Sequence, residues 1–545
     1  MSKVSPVAPS KDKKMKKIPV LLFASLLCSC SNAGNSSALD EIKENRIEDD
    51  YRNYYEIFVP SFADSDNDGV GDLKGIDDKI DYLADIGYNG IWLTPINSSP
   101  SYHKYDIQDY FSVDSSFGSM DDLKNLVRHA HQKKMKVIMD GVFNHSSYYN
   151  PWFEKCILAH RKRLLGESLD DEEKDYESLY VIKDGSAPQD GKTYAKAGAN
   201  DFYYECNFSG DMPEFDFESE FTFTKIKSVI DYYMSDEIGI DGFRLDAVLY
   251  YDFHDTESNV RILDRIAKMV HDNHGYVVGE CFDSLSTIKQ YYQSGCDSFF
   301  YFPGQGNSGF MVESLGMSGG FKKKYLDGML DMIAAASGHI PAPFLDNHDV
   351  PRVTRGGNIR QTKFLLGLRD MLNGSVFNYY GDEIGMSSSK VSHGDYADSN
   401  YRTHYYWDDS SHAYETKDVP HANAQKQYYP DSKSQLEDDN SILNYEKHAL
   451  RMRNTYPAIA RGTVSQTPED EALNQDSQDN LILAFDKTYE SDTIRMLFNF
   501  SDTQSYTYDM KDKKMADILL VDVTTQPSVE GNMLTLPPYG IALLK

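Results

Sequence analysis

Four short segments carry the groups in this 545-residue chain best suited to covalent chemistry: Asp140-Gly-Val-Phe-Asn144-His145, Gly242-Phe-Arg244-Leu-Asp246, Val278-Gly-Glu280 and Phe344-Leu-Asp-Asn347-His348-Asp349. Each sets carboxylates or imidazoles at the end of an apolar run. One protonated and one ionised carboxyl group are what cleavage of a glycosidic bond requires: the first donates to the leaving oxygen, the second traps an oxocarbenium-like carbon. Side chains alternate along a strand, so Arg244 and Asp246 share a face. A guanidinium there keeps the aspartate ionised, as a nucleophile must be. Glu280 follows apolar residues, where burial raises a carboxyl pKa and holds the proton.

The elements that must position these groups are legible as eight apolar runs: Tyr55–Val59, Gly90–Thr94, Lys136–Val142, Ile240–Leu245, Tyr276–Gly279, Ser298–Phe302, Ile340–Leu345 and Val376–Tyr380. Segments of helical period separate most of them, among them Gly75–Leu83, Met120–Lys133, Thr222–Met234 and Asn259–His271. The alternation predicts an α/β protein, a (β/α)8 TIM barrel, whose working residues gather where strands end on one rim. The third and fourth runs lie too far apart for one crossover helix. Residues 146–206, polar and irregular, are read as a domain inserted after the third strand. Beyond Arg461 the runs Leu481–Phe485, Ile494–Phe500, Ile518–Val523 and Ile541–Leu544 predict a C-terminal all-β sandwich domain over 461–545. The barrel then comprises 51–145 and 207–460.

The N-terminus reads as targeting. Lys11 to Lys17 are basic, Ile18 to Leu27 apolar but too short to span a bilayer, and Leu27-Cys28-Ser29-Cys30 leads into a polar run. This resembles a lipobox with Cys30 as the lipidated residue, which predicts a signal peptide over 1–30, a tether over 31–50 and an exported protein anchored to a membrane by lipid. Met15 makes a more ordinary start than Met1. Cys156, Cys206, Cys281 and Cys296 form no C-x-x-C pair, which argues against zinc and dithiol redox chemistry. A net charge of −30 argues against nucleic acid as a partner. The 39 tyrosines and 27 phenylalanines suit flat ligands such as sugars, and core packing equally.

In order and in separation, the four segments resemble the signature regions of the α-amylase family, glycoside hydrolase family 13, with the likeness running from about Tyr54 to the C-terminus. The resemblance implies Asp246 as nucleophile, Glu280 as general acid/base and Asp349 as a ligand of sugar hydroxyls. It implies Arg244, His145 and His348 around the attacked glucose, with Asn144 behind that wall and Asp140 structural. Tyr102-His103-Lys-Tyr105-Asp106 resembles the family's sugar-stacking loop, with Tyr105 under the ring and His103 and Asp106 nearby. Retention of configuration follows from that nucleophile.

Asp64-Ser-Asp66-Asn-Asp68-Gly-Val70-Gly-Asp72 alternates carboxylates around a glycine, as a loop for Ca2+ does, although Gly75 stands where an EF-hand has its closing glutamate. The resemblance implies a structural Ca2+ held by Asp64, Asp66, Asp68, Asp72 and the Val70 carbonyl. The sequence departs from the family after Asp246: the lysine and histidine that many α-amylases use for a second calcium and for the leaving sugar are replaced in Ala247-Val-Leu249-Tyr250. Met212-Pro-Glu214-Phe-Asp216 matches the fifth signature only loosely.

Two specificities compete, and the endo-acting one is the expectation. The Ser-Pro-Ser-Tyr-His-Lys-Tyr-Asp loop and Glu280-Cys-Phe-Asp283 look like endo-acting α-amylases that cut α-1,4 bonds of starch-like glucans and maltooligosaccharides. His348-Asp349-Val-Pro-Arg352 resembles oligosaccharide α-glucosidases, in which such an arginine helps close the pocket. Transglycosylation remains open, as does a non-catalytic starch-binding lipoprotein, since a fold does not fix an activity. A monomer is expected.

Overall fold

The computed structural model describes residues 47–316, 321–354, 356–388, 396–477 and 480–545; Cys30 and the leader lie outside them. Among the described residues no helix is long and apolar enough to cross a membrane.

Eight parallel strands form the centre: β1 Asn53–Ile57, β2 Gly90–Leu93, β3 Lys136–Gly141, β4 Gly242–Leu245, β5 Tyr276–Gly279, β6 Ser298–Phe300, β7 Ile340–Ala342 and β8 Val376–Tyr379. They pair in sequence from β1 to β7, with β8 beside β1. The ring closes where Phe344 bridges Phe377 and the amides of Ser375 and Phe377 donate to the carbonyls of Pro341 and Pro343, at 2.8 and 3.0 Å. This is the expected (β/α)8 barrel. Its strands are buried on both faces, which is why they read as unbroken apolar runs. Several runs overshoot the observed strands by one or two residues. Phe58 and Val59, for example, are apolar but have already left the ladder to build the rim.

Each strand is followed by a helix: α1 Leu73–Ile86, α2 Met120–Gln132, α3 Glu220–Tyr233, α4 Thr256–His271, α5 Leu285–Tyr291, α6 Lys322–Ala336, α7 Ile359–Asp370 and α8 Ile442–Thr455. Helix starts follow local chemistry. Asp72 caps α1 through the Gly75 amide, Ser119 and Asp122 form a capping box on α2, and Asp255 caps α4 through Ser258. In α1 the buried Leu73, Ile76, Ile80 and Leu83 recur at three- and four-residue steps and face the sheet. Aromatic rings fill the barrel: Tyr54 stacks on Phe377 at 4.7 Å, and Trp92 lies 5.4 Å from Phe300. Gly242 opens β4 at φ 154°, where a Cβ would sit 2.0 Å from the Tyr276 carbonyl oxygen. Only glycine lets β4 and β5 approach so closely there.

The segment after β3 is more ordered than its polar sequence implies. It holds helices Pro151–Leu164 and Asp171–Glu177 and a three-stranded antiparallel sheet of Ile182–Asp184, Tyr194–Lys196 and Phe202–Glu205. A small aromatic core holds it, with Phe153 5.0 Å from both Tyr180 and Tyr204. Toward the C-terminus, a five-stranded sheet packs one face on α6, α7 and α8 and the other on a three-stranded sheet. Lysine amino groups pin this contact without carboxylates: Lys322 Nζ donates to the carbonyls of Leu473, Asn480 and Ile482 at 2.6–2.9 Å, and Lys487 Nζ to those of Met371 and Ile459 at 2.8 and 2.7 Å.

Candidate active site

Strand register sets the site. Asp140 on β3 pairs with Arg244 on β4, and Arg244 with Val278 on β5, so Asp246 and Glu280 both emerge two residues further along at one level of the rim. The buried Arg244 guanidinium binds all three carboxylates. Nη1 contacts Asp140 Oδ1 and lies 2.6 Å from Asp246 Oδ1, while Nη2 lies 3.0 Å from Glu280 Oε2. Burial pushes the Glu280 carboxyl up to about 7 despite Arg244, and the charges of Asp246 and Asp349 add to the rise. Ala247 takes a left-handed backbone (φ 50°) and aims its N–H at Glu280 Oε2, 2.9 Å away. A non-glycine residue in that region marks local strain at the rim.

Asp140 has no route to a ligand. Its side chain is wholly enclosed, and Oδ2 accepts from Trp92 Nε1 at 3.0 Å and the Tyr105 hydroxyl at 3.1 Å. It positions Arg244 and Tyr105. The ring of Tyr105 stacks on His348 with centroids 5.5 Å apart, and its hydroxyl lies 2.8 Å from His348 Nε2. His348 stands between carboxylates, Nδ1 at 2.5 Å from Glu56 and Nε2 at 3.0 Å from Asp349 Oδ2. Burial opposes charge on this imidazole, but Asp349 and Glu56 outweigh it and raise the pKa to about 10. Both ring nitrogens therefore donate, and Tyr105 accepts from His348 while donating to Asp140. Enclosure by the site works against the Asp349 charge too, but His348, Arg402 and Arg244 hold the carboxyl well below the usual range.

The remaining expected residues line the same rim. His145 Nε2 lies 3.2 Å from the Tyr105 carbonyl oxygen, and burial holds its pKa down. His103 Nδ1 lies 3.1 Å from the Ser101 hydroxyl, and burial, with Arg402 nearby, lowers its pKa to about 4. Asp106 is turned inward onto the hydroxyls of Ser99 (2.7 Å) and Ser101, so it shapes the loop. Arg352 is not at the pocket mouth as expected. Its guanidinium is buried over the rings of Tyr379 and Tyr380, 4.2 and 4.9 Å away, and bonded to Asp382 at 3.2 Å.

An arginine that no motif flags, Arg402, lies beside Asp349 instead. It pairs with Asp349 Oδ1 at 2.7 Å, bonds the His348 carbonyl at 2.8 Å and reaches the Tyr102 hydroxyl at 2.9 Å. Glu56 was also missed, although an ionisable residue inside an apolar strand is a usable signal. Lys192 bridges Glu205 (3.2 Å) and Asp252 (3.7 Å), so an ammonium joins the inserted segment to the β4–α4 loop.

On the β1–α1 loop, Asp64, Asp66 and Asp72 bring carboxylate oxygens within 4.8 Å of one another, and among the described residues they alone form such a group. Asp68 is not among them. Its carboxylate turns back to accept from the Val70 amide at 2.7 Å, and Lys417 ties its carbonyl at 2.8 Å. Asp72 also caps α1. A set of hard oxygens fits Ca2+; Asp64, Asp66 and Asp72 would hold the ion, which would neutralise their mutual repulsion and take no part in bond cleavage. Saturating Ca2+ is expected to raise Tm over chelator-treated protein by roughly 5 °C, with Asp66→Asn abolishing the difference. Equal melting curves with and without Ca2+ would rule the ion out.

The family profile described as "Alpha amylase, catalytic domain" matches residues 56–462. The chain is 30% identical over 514 residues to Alpha-amylase 3 of Dictyoglomus thermophilum, covering 91% of this chain and 93% of that protein. It is 26% identical to the oligo-1,6-glucosidase of Bacillus cereus over 90% and 98% of the two chains. Eubacterium rectale Amy13B superposes with a TM-score of 0.83 at 31% identity, covering 93% of this chain and 97% of that one. With a carboxylate pair on one guanidinium at the rim of a closed barrel, and relatives alike along nearly their whole length, this chain belongs to the α-amylase family, glycoside hydrolase family 13, and is a glycoside hydrolase.

Proposed function

We propose that the protein is an α-amylase that cuts internal α-1,4 bonds of starch-like glucans and maltooligosaccharides with retention of configuration. Glu280 donates its proton to the glycosidic oxygen while Asp246 attacks the anomeric carbon. Water, deprotonated by the Glu280 carboxylate, then cleaves the glycosyl ester and frees Asp246. Asp349 and the protonated His348 hold the sugar hydroxyls, and Tyr105 lies under the ring. Internal cleavage is supported by one observation above all: the Arg352 guanidinium, which would close a pocket, is sealed beneath the rim by Asp382, Tyr379 and Tyr380.

A second reading has its own support. Arg402 binds Asp349 and Tyr102, and Tyr102 stacks on Tyr396 at 5.8 Å, which narrows the same end of the cleft. An exo-acting α-glucosidase would use such a wall. Maltoheptaose blocked at its non-reducing end separates the two. Rapid release of mid-length fragments is expected; survival of the blocked sugar, while unblocked maltoheptaose loses glucose stepwise, replaces the first reading by the second.

A further inference from the structure

Glu56 puts an ionisable group in the middle of an apolar strand. On β1 it pairs with Trp92 of β2 and Tyr379 of β8. It shares the inward face with Tyr54, whose ring stacks on Phe377 and Tyr276 inside the barrel, so its side chain rises through the barrel toward the rim. The residue is 1% exposed. A carboxylate taken out of water in this way is costly unless a partner offsets it. Among the described residues its side-chain hydrogen-bond partner is His348, whose Nδ1 lies 2.5 Å away, with the His348 amide further off at 3.4 Å. Burial pushes the Glu56 pKa up, and the charge on His348 pulls it down.

Two carboxylates thus address one imidazole from opposite ends, Glu56 at Nδ1 and Asp349 Oδ2 at Nε2, 3.0 Å away. A neutral imidazole has one N–H and one lone pair. Whichever nitrogen kept the proton, the other would set its lone pair against an ionised oxygen. Asp349 alone would not demand the charge: with Nδ1 unopposed, a neutral ring could donate from Nε2 and be satisfied. Glu56 makes the second proton obligatory. The other charged or titratable groups near the pair are Tyr105 after β2, Asp140 on β3, Arg244 on β4, Tyr379 on β8 and Arg402 beyond it. Asp140 is committed to Arg244 and Asp349 is shared with Arg402, so Glu56 is the carboxylate hydrogen-bonded to the imidazole alone.

We propose that Glu56 is a positioning residue for the glycosidic reaction: it locks His348 as a doubly protonated cation, so that Nε2 stays a donor to Asp349 and to a sugar hydroxyl at every working pH. This rests on the reading that Asp349 and His348 hold the sugar hydroxyls. Enclosed as it is, Glu56 acts through the ring and does not touch the substrate. The lock keeps two protonations apart: Glu280 gives up and regains its proton in each cycle, whereas His348 keeps both of its own.

Histidine labelled with 15N reports the lock directly. In the wild type both His348 nitrogens should carry protons from about pH 6 to 9, since the two carboxylates raise the pKa to about 10; the signals are assigned by their loss in His348→Asn. Glutamine can donate to Nδ1 and support a neutral ring, so Glu56→Gln is expected to lose one ring proton at least about 2 pH units lower. Kinetics give a second readout on α-maltosyl fluoride, whose leaving group needs no proton. There kcat/KM of Glu56→Gln relative to wild type should drop about tenfold between pH 6 and 9, as a charged donor becomes a neutral one. A packing defect would lower that ratio equally at every pH. Glu56→Asp, with its charge one methylene further away, should titrate between the two and show a smaller drop; it carries the test with the wild type if Glu56→Gln does not fold. A wild-type ring that loses a nitrogen proton below about pH 8 overturns the lock, as does a Glu56→Gln ratio that stays constant across the range. A wild type that acts only from chain ends, or cuts no sugar, fails the amylase reading, and the labelled spectra still decide the lock.

Discussion

Replacing Glu280 by glutamine is expected to lower kcat on maltoheptaose about a thousandfold, within the range that one positioned general acid contributes. The loss on α-maltosyl fluoride should be far smaller, because fluoride departs without a proton. The same substitution should remove the alkaline limb of the wild-type pH profile. Burial raises the Glu280 carboxyl to about 7, so the proton it must donate is present below that pH and lost above it. Wild-type kcat/KM then falls about tenfold per unit once pH passes 7, and the glutamine variant shows no such fall. Stability falls with rising pH as well, over a lower window. Between the ordinary glutamate value and about 7 the folded chain holds a proton that the unfolded chain has released, so wild-type stability declines with rising pH across that window. Glutamine has no proton to lose, and the variant should melt higher than the wild type at pH 8. A variant that keeps its activity and its alkaline limb places the acid elsewhere.

Glu280 was legible from sequence because everything that makes it an acid is local: an apolar strand ahead of it and a position at the strand end. The same holds for the eight strands, whose burial on both faces writes contiguous apolar runs, and for Asp246, whose arginine partner is two residues away. What escaped depends on chain that returns from far off. Arg402 reaches Asp349 across 53 residues of sequence, by way of β8 and the long connection into α8. Nothing in the sequence around Arg402 distinguishes it from arginines that stay at the surface. The resemblance to α-glucosidases assigns Arg352, three residues from Asp349, to the pocket, yet its guanidinium finds Asp382 and two tyrosine faces below the rim. Sequence proximity limits where a long side chain can start, not where its charge ends.

The acidic loop after β1 shows the same limit at shorter range. Asp64, Asp66, Asp68 and Asp72 are equivalent as a pattern of alternating carboxylates. The fold separates them, because capping α1 draws Asp72 inward while the pairing of Lys417 with the backbone at Asp68 and Gly69 holds the tip outward. The helices after β3 were hidden for a related reason. The helix Pro151–Leu164 buries Phe153, Cys156, Ala159 and His160 but leaves Leu158 and Leu164 in water, so its apolar residues do not mark a single face.

Asp246→Ala is expected to cost activity on the order of 10^5-fold, as removal of a nucleophile does in other covalent mechanisms. The fold should survive, because Arg244 keeps Asp140 and Glu280 as partners. The vacated space beside the Arg244 guanidinium is suited to a small anion, so azide should restore turnover of an activated substrate such as 2,4-dinitrophenyl α-glucoside. Rescue replaces two displacements by one: the azide nitrogen bonds to the anomeric carbon as the phenolate departs, and the product is the β-glucosyl azide. The pH dependence of the rescued reaction carries further information. The Asp246 charge is among the causes that hold the Glu280 pKa up. Without that charge Glu280 ionises at lower pH, and steps that need its proton should fail earlier on the alkaline side than in the wild type. Isolation of an α-configured azide instead would mean that a second carboxylate still forms the glycosyl ester. Asp349 would then be the group to replace next, since Asp140 is enclosed and cannot reach the sugar.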